Sequence, residues 1–559
     1  MKLGTFLTAL LVAVTSASAG GDSPATQPAK AEVATDWPQY RGPTRDGIAP
    51  AGPKLLDSWP KDGPKLLWKS APLWPDKGVK TGCGSVAVAG GKAFAFAYIT
   101  RKIGKVVIHA PDLIDAGWMD GVPDDLAKKV EEARTSPANP RWNKQGAEQA
   151  ACIKEFIAGL DPEQARKYGD WIQRRLTWTG HPVNNGMLSW ATLTKLAGVV
   201  DQEFASFEEL EKRLGGAWGW QRGTGNSLDV TLTNRAISFL DTIICLDAAT
   251  GKEVWRKEFP GAPVHYDEGL FSWVGASSTP TVADGKCYVT GSAGFYCLSV
   301  TDGAVVWQAK TKFSNSSPLV ANGVVYVTTP EATAYDAKTG QVLWCQPDLK
   351  IVNSSFTPWA AGGKNHLLIT ANGGTYSRPP GVTFCLDPAN GKTLWTAWGS
   401  SFATPVIAGA DTLLVNSGET TAFKMTPAKA EKLWGTPNAG DPRGAGPLIF
   451  QDHVYLAGSC HSADALSCLD LKTGAKTWKL RKYCAESSSP VLADGKIIAP
   501  IEEDEGSFFV VMYPASPDKY EEVGRFNPHV VAGSSPAIAG GKMYLRLQDC
   551  VACYDLTAN

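Results

Sequence analysis

One pattern dominates the sequence: a turn that contains aspartate and glycine, followed by a short strand that ends in tryptophan. Five well-formed copies end at Trp255, Trp307, Trp344, Trp395 and Trp478. A degenerate copy ends at Trp434, and a half-copy that precedes every complete repeat ends at Trp68. Units of about 40 residues with one tryptophan each are typical of the four-stranded blades of a β-propeller.

The repeats also open alike, with small residues before an apolar strand. Seven openings of this kind lie at residues 277–280, 316–318, 354–358, 402–405, 444–447, 487–490 and 534–536. A looser eighth opening lies at residues 84–86. Small side chains suit the innermost strands of a propeller, which crowd together around the axis. A hairpin signal such as Asp284-Gly285 or Asn322-Gly323 follows the opening.

The number of strands indicates how the ring closes. Eight openings are matched by only seven complete carboxyl-terminal partners, because the last repeat stops near Tyr554 without a tryptophan strand. The isolated strand ending at Trp68 supplies the fourth strand that the last repeat lacks. We therefore predict an all-β fold: an eight-bladed propeller of four-stranded blades whose last blade is completed by the amino-terminal strand, so that few edges remain exposed.

Residues 106–236 interrupt the first blade and are predicted to form a mostly helical insertion. Residues 124–134 and 161–176 have the pattern of amphipathic helices, and residues 206–214 are a shorter candidate. Asp161 followed by Pro162 is a typical helix start, a capping residue before a first-turn proline.

A loop of the insertion, residues 177–186, concentrates side chains that could contact a ligand or partner: Trp178, His181, Asn184 and Asn185. Loops held on rigid scaffolds often carry function. The alternative is that this loop is a structured surface connection.

The amino terminus has the three parts of a secretory signal: Lys2, an apolar stretch from Leu3, and a small-residue cleavage site ending at Ala19. We predict a signal peptide over 1–19, a disordered leader over 20–36, and an exported chain that is periplasmic or extracellular. The propeller is then expected to comprise residues 37–105 and 237–559, on either side of the insertion.

Charge argues against a nucleic-acid-binding protein, and hydropathy argues against an integral membrane protein. Lys plus Arg (54) almost cancels Asp plus Glu (55), so no global field favours nucleic acid. No run after the amino terminus approaches the 18 apolar residues of a spanning helix, so no integral membrane segment is predicted.

Twelve cysteines in an exported chain are compatible with disulfides. Five of them, however, occupy one equivalent place, in the strand before the aspartate turn: Cys245, Cys297, Cys385, Cys468 and Cys553. This recurrence predicts small buried packing residues. If a disulfide forms, Cys287 and Cys297, on neighbouring strands of one hairpin, are the best candidates.

The aspartate–tryptophan repeats and the segment from Trp37 to Gly47 (WPQYRGPTRDG) resemble proteins with pyrrolo-quinoline quinone (PQQ)-like propeller repeats. That family includes quinoprotein alcohol dehydrogenases and the propeller lipoprotein of the outer-membrane β-barrel assembly machinery. The resemblance covers roughly residues 37–105 and 237–559 and implies the propeller fold. For dehydrogenase members it also implies PQQ with calcium.

The sequence departs from the dehydrogenase pattern. It lacks the adjacent cysteine pair of those enzymes, and its inner-strand openings are mostly Ser, Gly, Ala and Pro instead of calcium ligands. Arg443 and Glu486 are the charged exceptions near these openings and are further candidate contacts. We expect a binding scaffold for an unidentified protein or small molecule, with no assigned catalytic residue, metal ligand or cofactor. The alternative is a PQQ-dependent dehydrogenase that oxidises an alcohol or sugar.

Overall fold

The computed structural model describes most of the chain after residue 34. The described residues are 35–73, 82–102, 105–135, 147–177, 188–215, 237–262, 277–329, 331–350, 353–371, 381–399, 404–416, 419–440, 445–458, 464, 466–481, 488–503, 508–531 and 533–558. The predicted signal peptide and residues 20–34 of the predicted leader lie outside them.

Eight four-stranded antiparallel sheets form the blades of a propeller, as the repeats predict. From the innermost strand outwards, blade 1 contains β2 (Ala87–Ala89), β3 (Lys92–Lys102), β6 (Ile237–Asp247) and β7 (Glu253–Pro260), and blade 2 contains β8 (Thr281–Ala283), β9 (Lys286–Thr290), β10 (Gly294–Ser299) and β11 (Val305–Lys310). Blade 3 contains β12 (Leu319–Ala321), β13 (Val324–Thr328), β14 (Glu331–Asp336) and β15 (Val342–Lys350), and blade 4 contains β16 (Thr357–Ala361), β17 (Lys364–Ala371), β18 (Val382–Leu386) and β19 (Thr393–Trp398).

The remaining blades continue the same order. Blade 5 contains β20 (Val406–Ala408), β21 (Thr412–Asn416), β22 (Glu419–Thr426) and β23 (Lys429–Pro437), and blade 6 contains β24 (Leu448–Phe450), β25 (His453–Ala457), β26 (Leu466–Asp470) and β27 (Lys476–Leu480). Blade 7 contains β28 (Val491–Ala493), β29 (Lys496–Glu502), β30 (Phe508–Pro514) and β31 (Gly524–Phe526), and blade 8 contains β32 (Ala537–Ala539), β33 (Lys542–Arg546), β34 (Val551–Asp555) and, outermost, β1 (Lys65–Lys69).

The amino-terminal strand therefore closes the ring, as predicted. β1 pairs antiparallel with β34, with Trp68 opposite Cys553. With β1 in place, all eight blades are four-stranded.

The aspartate turn of the repeat has a defined hydrogen-bonding role. In blade 3, Asp336 Oδ1 accepts from the backbone N–H groups of Lys338 and Thr339 and from the Thr339 hydroxyl, at 2.7–3.0 Å. Gly340 then takes a φ of 73°, the left-handed region that favours glycine. The turn delivers the chain into the outermost strand.

Each repeat tryptophan joins its blade to the next one. The indole Nε1 donates to a backbone carbonyl in the next blade, at 2.9–3.2 Å, in seven pairs: Trp68–Ala248, Trp255–Val300, Trp307–Ala337, Trp344–Pro388, Trp395–Thr426, Trp434–Leu471 and Trp478–Ser516. The turn glycine lies directly on the indole: a Cβ at Gly340 would be 2.6 Å from Trp307. The glycine and tryptophan of the motif thus belong to neighbouring blades.

The junction between blades 7 and 8 replaces tryptophan with Phe526. A Cβ at Gly63, the turn glycine of blade 8, would lie 2.5 Å from the Phe526 ring. Trp59 packs edge-on against the same ring, with centroids 5.5 Å apart. Residues before β1 therefore complete this junction as well as the blade.

A second set of contacts, the hydroxyl belt, joins the blades at the start of their innermost strands. The backbone N–H of one blade donates to a side-chain hydroxyl of the next, at 2.9–3.1 Å, in these pairs: Ser85–Thr279, Thr279–Ser317, Ser317–Ser355, Ser355–Thr404, Gly446–Ser489, Ser489–Ser535 and Ser535–Ser85. Blade 6 has Gly446 at the equivalent position and offers no hydroxyl to blade 5. The small residues predicted from crowding are thus also hydrogen-bond acceptors.

The recurrent cysteines lie opposite the repeat tryptophans. Cys245 pairs with Trp255, Cys297 with Trp307, Cys385 with Trp395, Cys468 with Trp478 and Cys553 with Trp68. All five are free and fully buried, as predicted, and blades 3 and 5 use Ala334 and Ala422 at this position. A small side chain leaves room for the neighbouring indole.

The disulfide considered between Cys287 and Cys297 is absent. The register places Cys287 opposite Leu298 and Cys297 opposite Tyr288. The two thiols therefore point to opposite faces of the sheet, Cys287 towards blade 1 and Cys297 towards blade 3, and both are free.

Helices lie between β3 and β6, where the sequence predicts an insertion. In the part of the chain that is described they are α1 (Ala110–Asp115), α2 (Asp124–Thr135), α3 (Ala147–Ala158), α4 (Pro162–Thr177), α5 (Trp190–Ala197) and α6 (Phe207–Arg213), with a small hairpin of β4 (Val106–Val107) and β5 (Glu203–Phe204). Asp161 caps α4 by accepting from the Glu163 N–H. None of the described helices is long and apolar enough to cross a bilayer.

Candidate functional site at the propeller axis

The candidate contacts expected from the sequence lie outside the described residues. They are Trp178, His181, Asn184, Asn185, Arg443 and Glu486. Their roles remain predictions. Among the described residues, the candidate site lies at the propeller axis.

Residues 37–49, here called the axial segment, lie inside the ring of innermost strands. Trp37 forms a bridge with Val88 of blade 1, and the Pro38 carbonyl accepts from Val282 of blade 2. Further along the segment, the backbone of residues 47–49 pairs with Leu492 of blade 7, two blades away from blade 1. The chain's own amino-terminal region therefore occupies the axis.

Two arginines anchor the axial segment at the level of the hydroxyl belt. Arg41 Nη2 donates to the Pro447 carbonyl of blade 6 at 2.5 Å. Arg45 donates to the carbonyls of Pro318 and Ser317 of blade 3, at 2.9 and 3.2 Å. Both side chains are only 2% exposed, so the segment is held between distant blades by buried, charge-assisted hydrogen bonds.

Arg41 fills the gap in the hydroxyl belt. Gly446 is the one belt position with no side chain, and a Cβ there would overlap the Arg41 guanidinium. Its φ lies outside the left-handed region, so backbone strain does not require glycine here. Space for Arg41 accounts for Gly446.

Burial lowers the pKa values of both guanidinium groups. The pKa of Arg45 falls to about 10, and that of Arg41 is also lowered. Backbone carbonyls replace only part of the lost water, because Arg41 Nη1 and Arg45 Nε are buried without a hydrogen-bond partner among the described residues. The other guanidinium nitrogens are used for structural hydrogen bonds.

The described residues do not fit a site for PQQ with calcium. A hard dication needs several oxygen ligands including carboxylates, and no group of three His, Cys, Asp or Glu side chains in the described ranges could hold a metal ion. The belt hydroxyls instead accept hydrogen bonds between blades. We therefore assign no chemical step to the quinone.

A buried carboxylate, Asp241 of β6, was missed by the sequence analysis. Its oxygens accept from the backbone N–H and hydroxyl of Ser292 at 2.8–2.9 Å and from the Tyr296 hydroxyl at 2.9 Å. Burial raises its pKa, although each of these donors favours the charged form. The arrangement ties blade 1 to the β9–β10 turn of blade 2. Its only sequence signal is an aspartate within an otherwise apolar strand.

The insertion contains its own buried ion cluster. Glu131 of α2 binds Arg134 and Arg175, and the Arg175 side chain is fully buried. Burial would raise the pKa of Glu131, but hydrogen bonds and charge from the two arginines hold it below its usual value. The cluster fixes α2 against α4 and has the character of a structural network.

The outer edges of the blades differ in charge. The outermost strands of blades 2, 3 and 4 begin with uncharged runs, VVWQA, VLWCQP and TLWTAW, and their exposed apolar side chains define the apolar rim: Val305, Val306, Val342, Leu343, Leu394 and Trp398. The other five outermost strands carry Lys, Arg or Glu. The apolar rim therefore occupies one side of the ring.

Known proteins with similar sequences match mainly the propeller. The family model described as outer membrane protein assembly factor BamB matches residues 240–480 and, in an overlapping match, 379–506. BamB from Shewanella oneidensis is 23% identical over 320 residues, 48% of this chain and 79% of that protein. Polyvinylalcohol dehydrogenase from Sphingopyxis sp. is 25% identical over 261 residues, 41% of this chain and 35% of the enzyme.

Among solved structures, BamB from Moraxella catarrhalis aligns with a TM-score of 0.43 at 15% identity, covering 58% of this chain and 92% of that chain. The relatives include both an assembly factor and a dehydrogenase, so the shared repeat does not by itself specify an activity. The repeats, the eight four-stranded blades and the sequence relatives agree with a PQQ-like repeat β-propeller.

Proposed function

We propose that this propeller is an exported, non-enzymatic scaffold that binds a partner protein through its outer surfaces. The observation that carries the proposal is the axial segment, because it crosses the axis and its Arg41 and Arg45 side chains donate to backbone carbonyls of blades 6 and 3 there. Binding is then left to the rim, the faces and the helical insertion. Export rests on the signal predicted over 1–19.

The relatives support this proposal in a general way. The name of the assembly factor places that protein at the outer membrane and in an assembly role. For the present chain, we propose a location in the cell envelope, periplasmic or extracellular, and a protein as the partner. The alternative ligand is a small molecule bound at the faces.

Co-purification and reconstitution test the proposed function. The tagged full-length protein is cross-linked in intact cells of its own organism, and each co-purified protein is then made separately and tested for rebinding. We expect one protein to rebind the purified propeller at a fixed stoichiometry. In parallel, PQQ and calcium are added with an alcohol and sugar panel, and dye reduction is followed. Failure of every rebinding test, together with PQQ-dependent dye reduction, would replace the scaffold with a dehydrogenase.

A further inference from the structure

Two positive charges of the axial segment lie inside the ring without an acid paired to them. Arg41 and Arg45 are each 2% exposed, and they donate to backbone carbonyls and to the Gln39 side chain. Among the described residues, neither guanidinium forms an ion pair with a carboxylate. Charges that are buried in proteins are normally paired, because neutral carbonyls do not balance them.

Asp46 is the acid whose charge acts on Arg41, but it does not balance both arginines. Its Oδ1 accepts from the Ile48 N–H at 2.9 Å, and its backbone carbonyl, not its carboxylate, accepts from Arg41 Nη2. Burial lowers the pKa of Arg45 to about 10, and the nearby charge of Arg41 lowers it further. Two arginines and one aspartate leave the axial segment with one positive charge in excess.

The two guanidiniums also have hydrogen-bond donors to spare. Arg41 Nη1 and Arg45 Nε are buried and have no partner among the described residues. A buried charged donor that makes no hydrogen bond is costly. The acceptor that satisfies these donors must be small, because the Arg41 guanidinium already packs against Gly446. A water molecule could accept the hydrogen bonds, but it would leave the excess charge in place.

We infer that the propeller axis binds one small anion, of the size of chloride, through Arg41 Nη1 and Arg45 Nε. The anion accepts the N–H groups that the carbonyls leave unused and balances the excess charge of the axial segment. It thereby strengthens the attachment of the amino-terminal region between blades 3 and 6. This site is separate from the outer surfaces of the proposed scaffold and does not depend on that function.

Unfolding at constant ionic strength tests for the anion. The full-length protein is denatured by heat in sodium gluconate that is replaced stepwise by sodium chloride, because gluconate is too large for a buried site of this kind. We expect the unfolding midpoint to rise and then saturate, since a ligand that binds only the folded state stabilises it by mass action. A midpoint that does not change, or that rises without saturating, overturns the inference.

Two buried arginines provide a matched pair of substitutions. Arg45→Gln removes the charge and the Nε donor, so the saturable response to chloride should be lost. Arg175 is also fully buried, but it already pairs with Glu131 in the insertion. Arg175→Gln should therefore lower the midpoint and keep the response to chloride. Equal loss of the response in both variants would overturn the site.

Bromide locates the anion in the wild type, whether or not Arg45→Gln folds. Crystals grown in sodium bromide should show an anomalous scattering peak within hydrogen-bonding distance of Arg41 Nη1 and Arg45 Nε. Water at that position, or bromide only elsewhere, overturns the inference. Rebinding of a partner protein does not involve this site, so the scaffold function and the anion site can fail separately.

Discussion

Arg41 and Gly446 fit one another: the guanidinium of Arg41 occupies the space that a side chain at position 446 would need. The bond from Arg41 to the adjacent Pro447 carbonyl joins residues 406 positions apart. The belt of hydroxyl contacts is interrupted at Gly446, where the Arg41 side chain of the amino-terminal region occupies the space of the absent hydroxyl side chain. The same region completes blade 8 and the junction at Phe526.

Turn glycines have two separable roles, which are to adopt a positive φ and to leave room for an indole. Two turn glycines of blade 3 distinguish these roles. Gly323 and Gly340 have φ values of 75° and 73°, but only Gly340 lies against an indole. We expect Gly323→Ala to lower the free energy of unfolding by about 1 kcal/mol through backbone strain alone. Gly340→Ala should lower it by about 3 kcal/mol, because it also overpacks Trp307. Urea denaturation checks both, and equal losses would refute the indole contact.

The aspartate turns should make the propeller sensitive to acid. Hydrogen bonds from Thr250, Thr339 and Thr473 lower the pKa values of Asp247, Asp336 and Asp470. An acid whose folded pKa is depressed adds stability above the unfolded pKa of about 3.9 and loses it as pH falls through the folded value.

The triple variant Asp247→Asn, Asp336→Asn, Asp470→Asn keeps the acceptors but cannot titrate. Its unfolding free energy should therefore fall less than that of the wild type between pH 7 and pH 3, as measured by denaturation at each pH. Parallel pH dependences in the two proteins would show that the turns do not contribute.

Thiol reactivity should follow burial. Burial raises the pKa values of Cys245, Cys297 and Cys385 to about 12 and that of Cys553 to about 11, whereas Cys345 is exposed. Because the thiolate is the reactive form, iodoacetamide at pH 8 should modify Cys345 in the native protein and spare the other four. Peptide mapping reads each site, and labelling in denaturant is the control. Native modification of Cys385 at the rate of Cys345 would contradict the packing.

The repeat made the fold predictable because one motif reports both a local turn and a contact between blades. The missing tryptophan strand after Tyr554 and the unpaired strand at Trp68 specified how the ring closes. Helices α2, α4 and α6 were predicted from their amphipathic pattern, and α4 also from Asp161 before Pro162, whereas α1, α3 and α5 were not predicted. These signals all lie within short windows of sequence.

The axial segment and its arginines were not predictable in the same way. Arg41 and Arg45 lie in a polar stretch that reads as a surface turn, and their burial depends on carbonyls of blades 3 and 6. The Cys287–Cys297 disulfide failed because adjacency on a hairpin does not determine which face each side chain occupies. Asp241 likewise depends on Ser292 of another blade.

A double-mutant cycle between positions 41 and 446 tests most directly whether the amino-terminal region completes the ring at its axis. Arg41→Ala and Gly446→Ser should each lower the unfolding free energy by about 2–3 kcal/mol, through lost charge-assisted bonds and through overpacking respectively. The double variant should be more stable than the sum of the two losses predicts, by about 1–3 kcal/mol. The introduced hydroxyl can then accept from blade 5, so replacing serine with alanine in the double variant should remove about 1 kcal/mol. Additive losses, with no difference between serine and alanine, would contradict the account.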